Sequence, residues 1–253
     1  MEYTTITFAE DGPIGVLTLN RPEKLNALNQ MMIEELEDLL DKLYHNRELR
    51  VVILTGAGQK GFCSGLDMTE AAAQLFEASP ELIYYFQTRT SLLFYKMRRI
   101  PQPIIAAVHG AAAGAGFSFA MAADVRIVTP QARFNAAYIN IGLGGADLCS
   151  SYFLPKLIGT GRAYEFLLTG EFMSAQEAKE LGFVSRVVEK DKLMETANEI
   201  AQKMVSKSPV GLWMTKEAIN MNLDGASLEQ ALHLENRNQA FMITAMKVPK
   251  KSP

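Results

Sequence analysis

The chain has 253 residues, 48% of them apolar and 21% charged, enough for a sizeable core in one large domain or in one domain with a helical appendage. A net charge of −3 leaves no strong basic field for nucleic acid, and the one concentrated basic run, Lys247, Lys250 and Lys251, reads as a solvated end. Two cysteines, Cys63 and Cys149, make neither a disulfide framework nor a Cys/His zinc pattern, and no apolar run is long enough to span a bilayer.

The first elements expected are two strands, Ile6–Phe8 and Val16–Leu19, around the turn Asp11-Gly12-Pro13. With strand-like sequence beginning at Tyr3, no signal peptide is read, and a cytoplasmic setting or an organelle lumen is expected. Met32, Ile33, Leu36, Leu39, Leu40, Leu43 and Tyr44 then recur at helical spacing with acidic residues between them. Val51–Leu54 is short, β-branched and apolar, as a buried strand should be, and Gly56 and Gly58 end it. A helix over about 80–98 leads to a second buried strand, Ile104–Val108, and the small-residue stretch Gly110–Ala123 leads to a third, Val125–Val128. Such alternation predicts an α/β fold with mostly parallel pairing. Beyond about Arg162 helical patterns dominate, at 163–168, 175–181, 192–205, 210–222 and 228–246, broken by a short strand at Val184–Val188. The organisation expected is an α/β core over 1–190 and a helical C-terminal region over 191–253, with Trp213 in the core.

Three segments can carry chemistry. Gly61–Met68 follows a buried strand and is small at its centre, so a ligand can approach its backbone; an ordinary strand-to-helix turn fits it as well. His109–Phe117 follows a strand and opens a helix, where unpaired N–H groups and the positive dipole end stabilise developing negative charge. A dinucleotide loop is disfavoured there: Gly114-x-Gly116 is followed by Phe119 instead of glycine, and Gln131–Asn135 lacks the ribose-binding carboxylate. Gly56–Gly61 lacks Walker spacing. The third segment, Ile141–Cys149, has several glycines and one carboxylate, Asp147, ahead of a helix expected at 148–158, where it can be an N-cap or an acid/base. His45 reads as exposed, His109 as bonded locally, and Cys149 as a small core residue.

Together these segments resemble the crotonase, or enoyl-CoA hydratase/isomerase, family from about Thr5 to Thr244. The resemblance rests on Leu19–Leu28, Phe62–Asp67, Ile104–Asp124 and Leu154–Gly159, and on Thr169-Gly170 with Ser174–Ala178 and Leu181–Val184. It implies a crotonase-like spiral of ββα units with a helical C-terminal trimerisation region. A homotrimer or dimer of trimers is implied, as is an acyl-CoA substrate, with coenzyme A entering as part of the substrate, and no metal or other cofactor. The family's oxyanion hole of two backbone N–H groups carries over to Leu66 and Ala115, the latter standing where many members have glycine. Lys24, Leu25, Ala27, Ser64, Gly65, Asp67 and Met68 would line the CoA and acyl channel beside Gly114. The two glutamates of the family's hydratases fall on Ser118 and Tyr138, and neither is a carboxylate. Asp147 matches the acid/base aspartate of the isomerase branches. The resemblance therefore implies a double-bond isomerase with Asp147 as proton shuttle. A non-catalytic acyl-CoA binder and a hydratase of atypical mechanism remain as alternatives.

Overall fold

The computed structural model describes residues 2–70, 78–225 and 227–247; the basic residues Lys250 and Lys251 lie outside them. The chain opens with β1 (Ile6–Asp11) antiparallel to β2 (Ile14–Leu19), Ile6 facing Leu19. Helix α1 (Gln30–His45) follows, its start capped by the Asn29 side chain, which accepts from the Met32 N–H at 3.0 Å. The apolar stripe Met32, Ile33, Leu36, Leu39, Leu40 and Leu43 is buried, as its spacing requires. Glu35 is buried on the same helix, and its carboxylate accepts from the N–H and hydroxyl of Thr4 and of Thr5 and from the Ile6 N–H. That carboxylate ties the first strand to α1.

From there the chain steps repeatedly between two sheets. Strands β3 (Val51–Gly56), β5 (Ile104–Val108), β7 (Val125–Val128) and β10 (Arg186–Val187) join a six-stranded sheet in the order β1-β2-β3-β5-β7-β10, parallel from β2 onward. β3, β5 and β7 are each followed by a short strand of a second sheet: β4 (Gly61–Cys63), β6 (Ala111–Ala113) and β8 (Arg133–Asn135), closed by β9 (Met173–Ser174). Helices α2 (Pro80–Arg99) and α3 (Ala115–Ala122) complete turns of this spiral, and α4 (Ser150–Ile158), α5 (Thr160–Thr169) and α6 (Ala175–Glu180) follow β8. β10 (Arg186–Val187) rejoins the large sheet beside β7.

Strands β3 and β5 are buried on both faces, which is why Val51–Leu54 and Ile104–Val108 read as unbroken apolar runs. Val52 and Leu54 of β3, with Ile104, Ala106 and Val108 of β5, face the main core. Val51, Ile53, Ile105 and Ala107 face a second core, closed by Leu193, Ala197 and Ala201 of α7 (Leu193–Val205). The chain ends with α8 (Pro209–Asn222) and α9 (Leu228–Lys247), which expose Val210, Ile219, Leu228, Leu232, Phe241 and Ile243. No described helix is long and apolar enough to cross a membrane.

The structure departs from expectation in three places. The strand expected over 184–188 forms ladder pairs only at Arg186 and Val187. The helix expected from Leu148 begins at Ser150, because Leu148 and Cys149 take left-handed φ values of 45° and 69°, which α-helix cannot contain. Trp213 is not a core residue: it is 36% exposed, with the Arg47 guanidinium 4.7 Å from its ring centre. The four short strands of the second sheet were too brief to leave a periodic signal.

Candidate active site

The site grows from the two places where a short strand of the second sheet turns. After β4, residues 64–67 run beside 25–28: Ser64 N–H donates to Leu25 O at 3.0 Å, Leu28 N–H to Gly65 O at 2.7 Å, and Asp67 N–H to Leu28 O at 2.7 Å. In a parallel pairing of this kind the intervening residue points its own N–H the other way. Leu66 is that residue, and its N–H finds no acceptor among the described residues. Gly65 makes the turn with φ of +105°, and a Cβ there would lie 3.1 Å from Ala113 O.

The second place is the junction of β6 and α3. Gly114, at φ +52° and ψ −118°, donates its N–H to Asn135 O at 3.0 Å. Ala115 is the first helical residue, so its N–H has no partner within the helix and none elsewhere among the described residues. Gly116 packs its backbone onto β4; a Cβ there would sit 2.1 Å from Cys63 O. A Cβ on Gly65 would fall 3.7 Å from Ala115 N. Two N–H groups without an acceptor among the described residues, one of them at a helix N-terminus, thus lie on adjoining segments.

Tyr138 links the Gly114–Ala115 junction to the carboxylate. It lies in the 3-10 turn Ala137–Ile141, and its ring is 3.7 Å from where a Gly114 Cβ would be. Its hydroxyl donates to the backbone carbonyl of Asp147 at 3.3 Å. Burial pushes the phenol up to about 12, and the Asp147 charge adds to this, against the nearby Ser150 and Ser118 hydroxyls. Tyr138 is therefore a protonated donor at neutral pH. Ser118, on the first turn of α3, is fully buried, and its Oγ has no hydrogen-bond partner among the described residues.

Asp147 sits in the loop before α4, half-buried. It does not cap that helix; Cys149 occupies the cap position, with no side-chain bond. Its Oδ1 accepts from the Leu148 N–H at 2.7 Å and from the Gln87 amide of α2. Its own N–H donates to Ser150 Oγ at 3.0 Å. Burial raises the carboxyl above its ordinary value, and the Leu148 and Gln87 donors only partly oppose it. The left-handed pair Leu148 and Cys149 holds the loop in this shape, and such strain is commonest where function demands a fixed geometry. Cys149 is half-buried, and burial followed by the Asp147 charge raises its thiol, so it is no ready nucleophile.

The Lys24–Ala27 loop runs beside residues 64–67. Leu25 and Asn26 have φ of 52° and 56°, held by the buried Asn26 side chain, which accepts from Arg21 N–H and donates to the carbonyls of Ala57, Gly61 and Phe62. Leu25 and Met68 are exposed, Ala27 is buried, and the Lys24 ammonium reaches Thr69 Oγ1 at 3.4 Å. The Asp67 carboxylate is turned inward, 2.9 Å from Arg21 and 2.6 Å from the Thr69 hydroxyl. Burial would raise it, but the Thr69 and Arg21 bonds outweigh that and hold it at about 2.

Gly65, Leu66, Gly114, Ala115, Ser118, Tyr138 and Asp147 thus form one cluster, with Lys24, Leu25, Ala27, Ser64 and Met68 on the segments around it. Sequence reasoning missed Gln87 and Ser150, which orient Asp147; an amide sixty residues away on another helix leaves no local signal. It also missed Asn26, for which the turn sequence gave a hint. His109 is buried with its Nε2 unpartnered among the described residues, and burial, then Lys190, lowers its ring below the ordinary value against the Gly58 backbone. His45 is exposed at the end of α1. Among the described residues no group of three His, Cys, Asp or Glu side chains could hold a metal ion.

Comparison with known proteins agrees with this architecture. A family model described as Enoyl-CoA hydratase/isomerase matches residues 9–252. A curated relative, "Probable enoyl-CoA hydratase" of Mycobacterium tuberculosis, is 39% identical over 232 residues, which is 90% of this chain and 81% of that protein. Among solved structures, enoyl-CoA hydratase from Bacillus anthracis superposes with a TM-score of 0.86 at 34% identity, covering 95% of this chain and 92% of that one. A monofunctional enoyl CoA isomerase from M. smegmatis superposes with a TM-score of 0.76 at 40% identity, over 90% of this chain and 98% of that one. The α/β spiral with its C-terminal helices is therefore the fold expected from the sequence. With a family match over nearly its whole length, the chain belongs to the enoyl-CoA hydratase/isomerase family.

Proposed function

We propose that the protein moves a carbon–carbon double bond in an acyl-CoA thioester, with Asp147 as the single proton shuttle. One observation carries this reading: the half-buried Asp147, whose carboxyl burial raises, is bonded through its backbone carbonyl to Tyr138, whose ring packs at Gly114 beside the unpartnered Ala115 N–H. At the two positions where the family's hydratases would place glutamates stand the buried hydroxyls of Ser118 and Tyr138.

The chemistry follows from that inventory. A 3-enoyl thioester bound with its carbonyl oxygen between the Leu66 and Ala115 N–H groups loses a proton from C2 to the Asp147 carboxylate. The electron pair moves onto the thioester oxygen, where the two preorganised donors stabilise it. The resulting dienolate takes the same proton back at C4 as its charge returns, giving the 2-enoyl thioester. Atoms and charge balance without water. A carboxyl raised above its ordinary range suits a group that must give up its proton as readily as it takes it. Coenzyme A arrives as part of the substrate, along the rim made by Lys24, Leu25, Ala27 and the segment Ser64–Met68, with Asp67 keeping that rim in shape. No further cofactor is needed. The exposed apolar residues of α8 and α9 support assembly as a homotrimer or a dimer of trimers.

A second reading keeps the pocket and adds water. The unpartnered Ser118 hydroxyl favours it, since a substrate water could bond there. A panel of 2-enoyl-, 3-enoyl- and dienoyl-CoA substrates, read by product mass, separates the two. Isomerisation of a 3-enoyl-CoA that is lost in Asp147→Asn supports the proposal. Formation of 3-hydroxyacyl-CoA supports the hydratase. Binding without turnover of any substrate would leave a non-catalytic acyl-CoA binder.

A further inference from the structure

Helix α2 buries Thr90, Leu93, Phe94 and Met97 along one face. Gln87 falls one turn before Thr90 on the same stripe, three residues earlier. The buried face of α2 therefore ends in an amide, at an exposed position next to the loop that carries Asp147. Two contacts fix the helix on either side of this residue. The Ser79 hydroxyl caps its start, accepting from the Leu82 N–H at 3.3 Å. Two residues beyond Gln87, the Arg89 Nε lies 2.9 Å from each carboxylate oxygen of Glu37 on α1. The amide is thus presented by a helix that is pinned before it and after it.

The two oxygens of the Asp147 carboxylate are not equivalent. Oδ1 accepts from the Leu148 N–H at 2.7 Å and from the Gln87 amide. No donor among the described residues reaches Oδ2. A free carboxylate turns in a broad two-fold well, and two donors on one oxygen stop that turn. A protonated carboxyl carries one O–H, and its other oxygen stays an acceptor. With Oδ1 engaged, the proton goes to Oδ2, and both Oδ1 bonds survive the change of charge. The group then needs no reorganisation between taking a proton and returning it. The titratable neighbours are the Tyr138 phenol and the Cys149 thiol, both raised by burial and so neutral across the acid range. No lysine, arginine or second carboxylate among the described residues bonds this carboxyl; burial raises it, and the Leu148 N–H and then the Gln87 amide oppose the rise.

We propose that Gln87 is a positioning residue for the proton transfer: its amide pins Oδ1 of Asp147, so that Oδ2 alone takes the proton from C2 and returns it at C4. The inference rests on the reading of Asp147 as the shuttle. Gln87 acts through that carboxylate and does not touch the substrate. A neutral amide suits the task. A glutamate at this position would set a second negative charge against Asp147, and a lysine would hold Asp147 ionised and slow the return of the proton.

The test uses the full chain as wild type, Gln87→Leu, Gln87→Lys and Asp147→Asn, with two readouts. One is the pH profile of kcat/KM for isomerisation of a 3-enoyl-CoA. The other needs no turnover: an infrared difference titration of the Asp147 carboxyl, assigned by its absence in Asp147→Asn. Gln87→Leu removes the donor at similar size. It should lower kcat about ten-fold with KM within about two-fold, and move the acid limb and the infrared midpoint to higher pH. Gln87→Lys should move both to lower pH. A side chain that only packs would move neither, and if Gln87→Leu does not fold, the lysine variant decides alone. Midpoints that coincide with wild type would mean that water replaces the amide, and they overturn the inference while the Asp147 shuttle stands. Midpoints that move the same way in both variants overturn it as well. So does a shifted midpoint with kcat unchanged in Gln87→Leu, since the amide would then tune the carboxyl without placing it. If the wild type does not isomerise, or Asp147→Asn keeps the activity, the shuttle reading falls first and the inference with it.

Discussion

Both donors of the proposed oxyanion site are backbone groups, so no side-chain substitution removes them cleanly. Replacing Ala115 by lactic acid does, because it turns the Gly114–Ala115 amide into an ester and deletes one N–H while adding no atoms. The helix should scarcely notice. The Ala115 N–H is among the first in α3 and has no acceptor among the described residues. The one bond weakened is Ser118 N–H to Gly114 O at 3.1 Å, whose acceptor becomes an ester carbonyl. Loss of a single oxyanion donor costs about 2.7–4 kcal/mol of transition-state stabilisation, which is about 10²–10³ in kcat. The same lactic acid at Ala120, inside α3, is the control. There it removes an N–H engaged in the helix ladder, at about 1 kcal/mol of stability, with little effect on kcat. The assay is turnover of whichever enoyl-CoA the wild type accepts, paired with thermal unfolding of both esters. If the ester at Ala115 keeps kcat within two-fold of wild type, the Ala115 N–H does not hold the thioester oxygen, and the reasoning fails.

Four other predictions follow from named contacts. Because burial raises the Asp147 carboxyl, kcat/KM should fall as pH drops through a value above 3.8, and Asp147→Asn should erase that limb along with the activity. The same shift carries a stability sign: the folded chain holds this proton more tightly than the unfolded chain, so the benefit exists below 3.8 and is lost as pH rises through the folded value. Asp147→Asn should therefore melt higher than wild type at neutral pH and level with it in acid; a lower melting point at neutral pH would contradict this. Gly116→Ala drives a methyl to 2.1 Å from the Cys63 carbonyl and should cost about 1–3 kcal/mol and lower kcat by separating the two donors, whereas Gly144→Ala, with open space around it, should change neither. Glu35→Ala strands the donors of Thr4, Thr5 and Ile6 and should cost about 3 kcal/mol in denaturant melts; a change under half of that would mean water replaces the carboxylate.

The sequence carried the long elements well, for physical reasons. Strand Ile104–Val108 is buried on both faces, so its apolar run ends where the strand ends. The stripe of α1 has the period of its own buried face. The second sheet was invisible because strands of two or three residues have no period to detect. Trp213 misled for a related reason: tryptophan predicts burial, but this one lines a cavity and stacks against Arg47. At the site, a free N–H at the start of α3 could be read from the strand-to-helix junction at Gly114. The helix expected from Leu148 failed at two residues in left-handed backbone, where ordinary side chains give no warning. Around Asp147, Tyr138 was legible through the family resemblance, whereas Gln87, sixty residues away on another helix, left no local signal.

In the proposed reaction one carboxylate carries a proton across an enolate held by two backbone donors, and no water is added. The direct measurement is the mass of the product formed from a 3-enoyl-CoA in water enriched in heavy oxygen, with wild type and Asp147→Asn side by side. The wild type should give a 2-enoyl-CoA free of heavy oxygen, and the variant should leave the substrate unreacted. A 3-hydroxyacyl-CoA carrying the heavy oxygen, or equal conversion by both proteins, would contradict it.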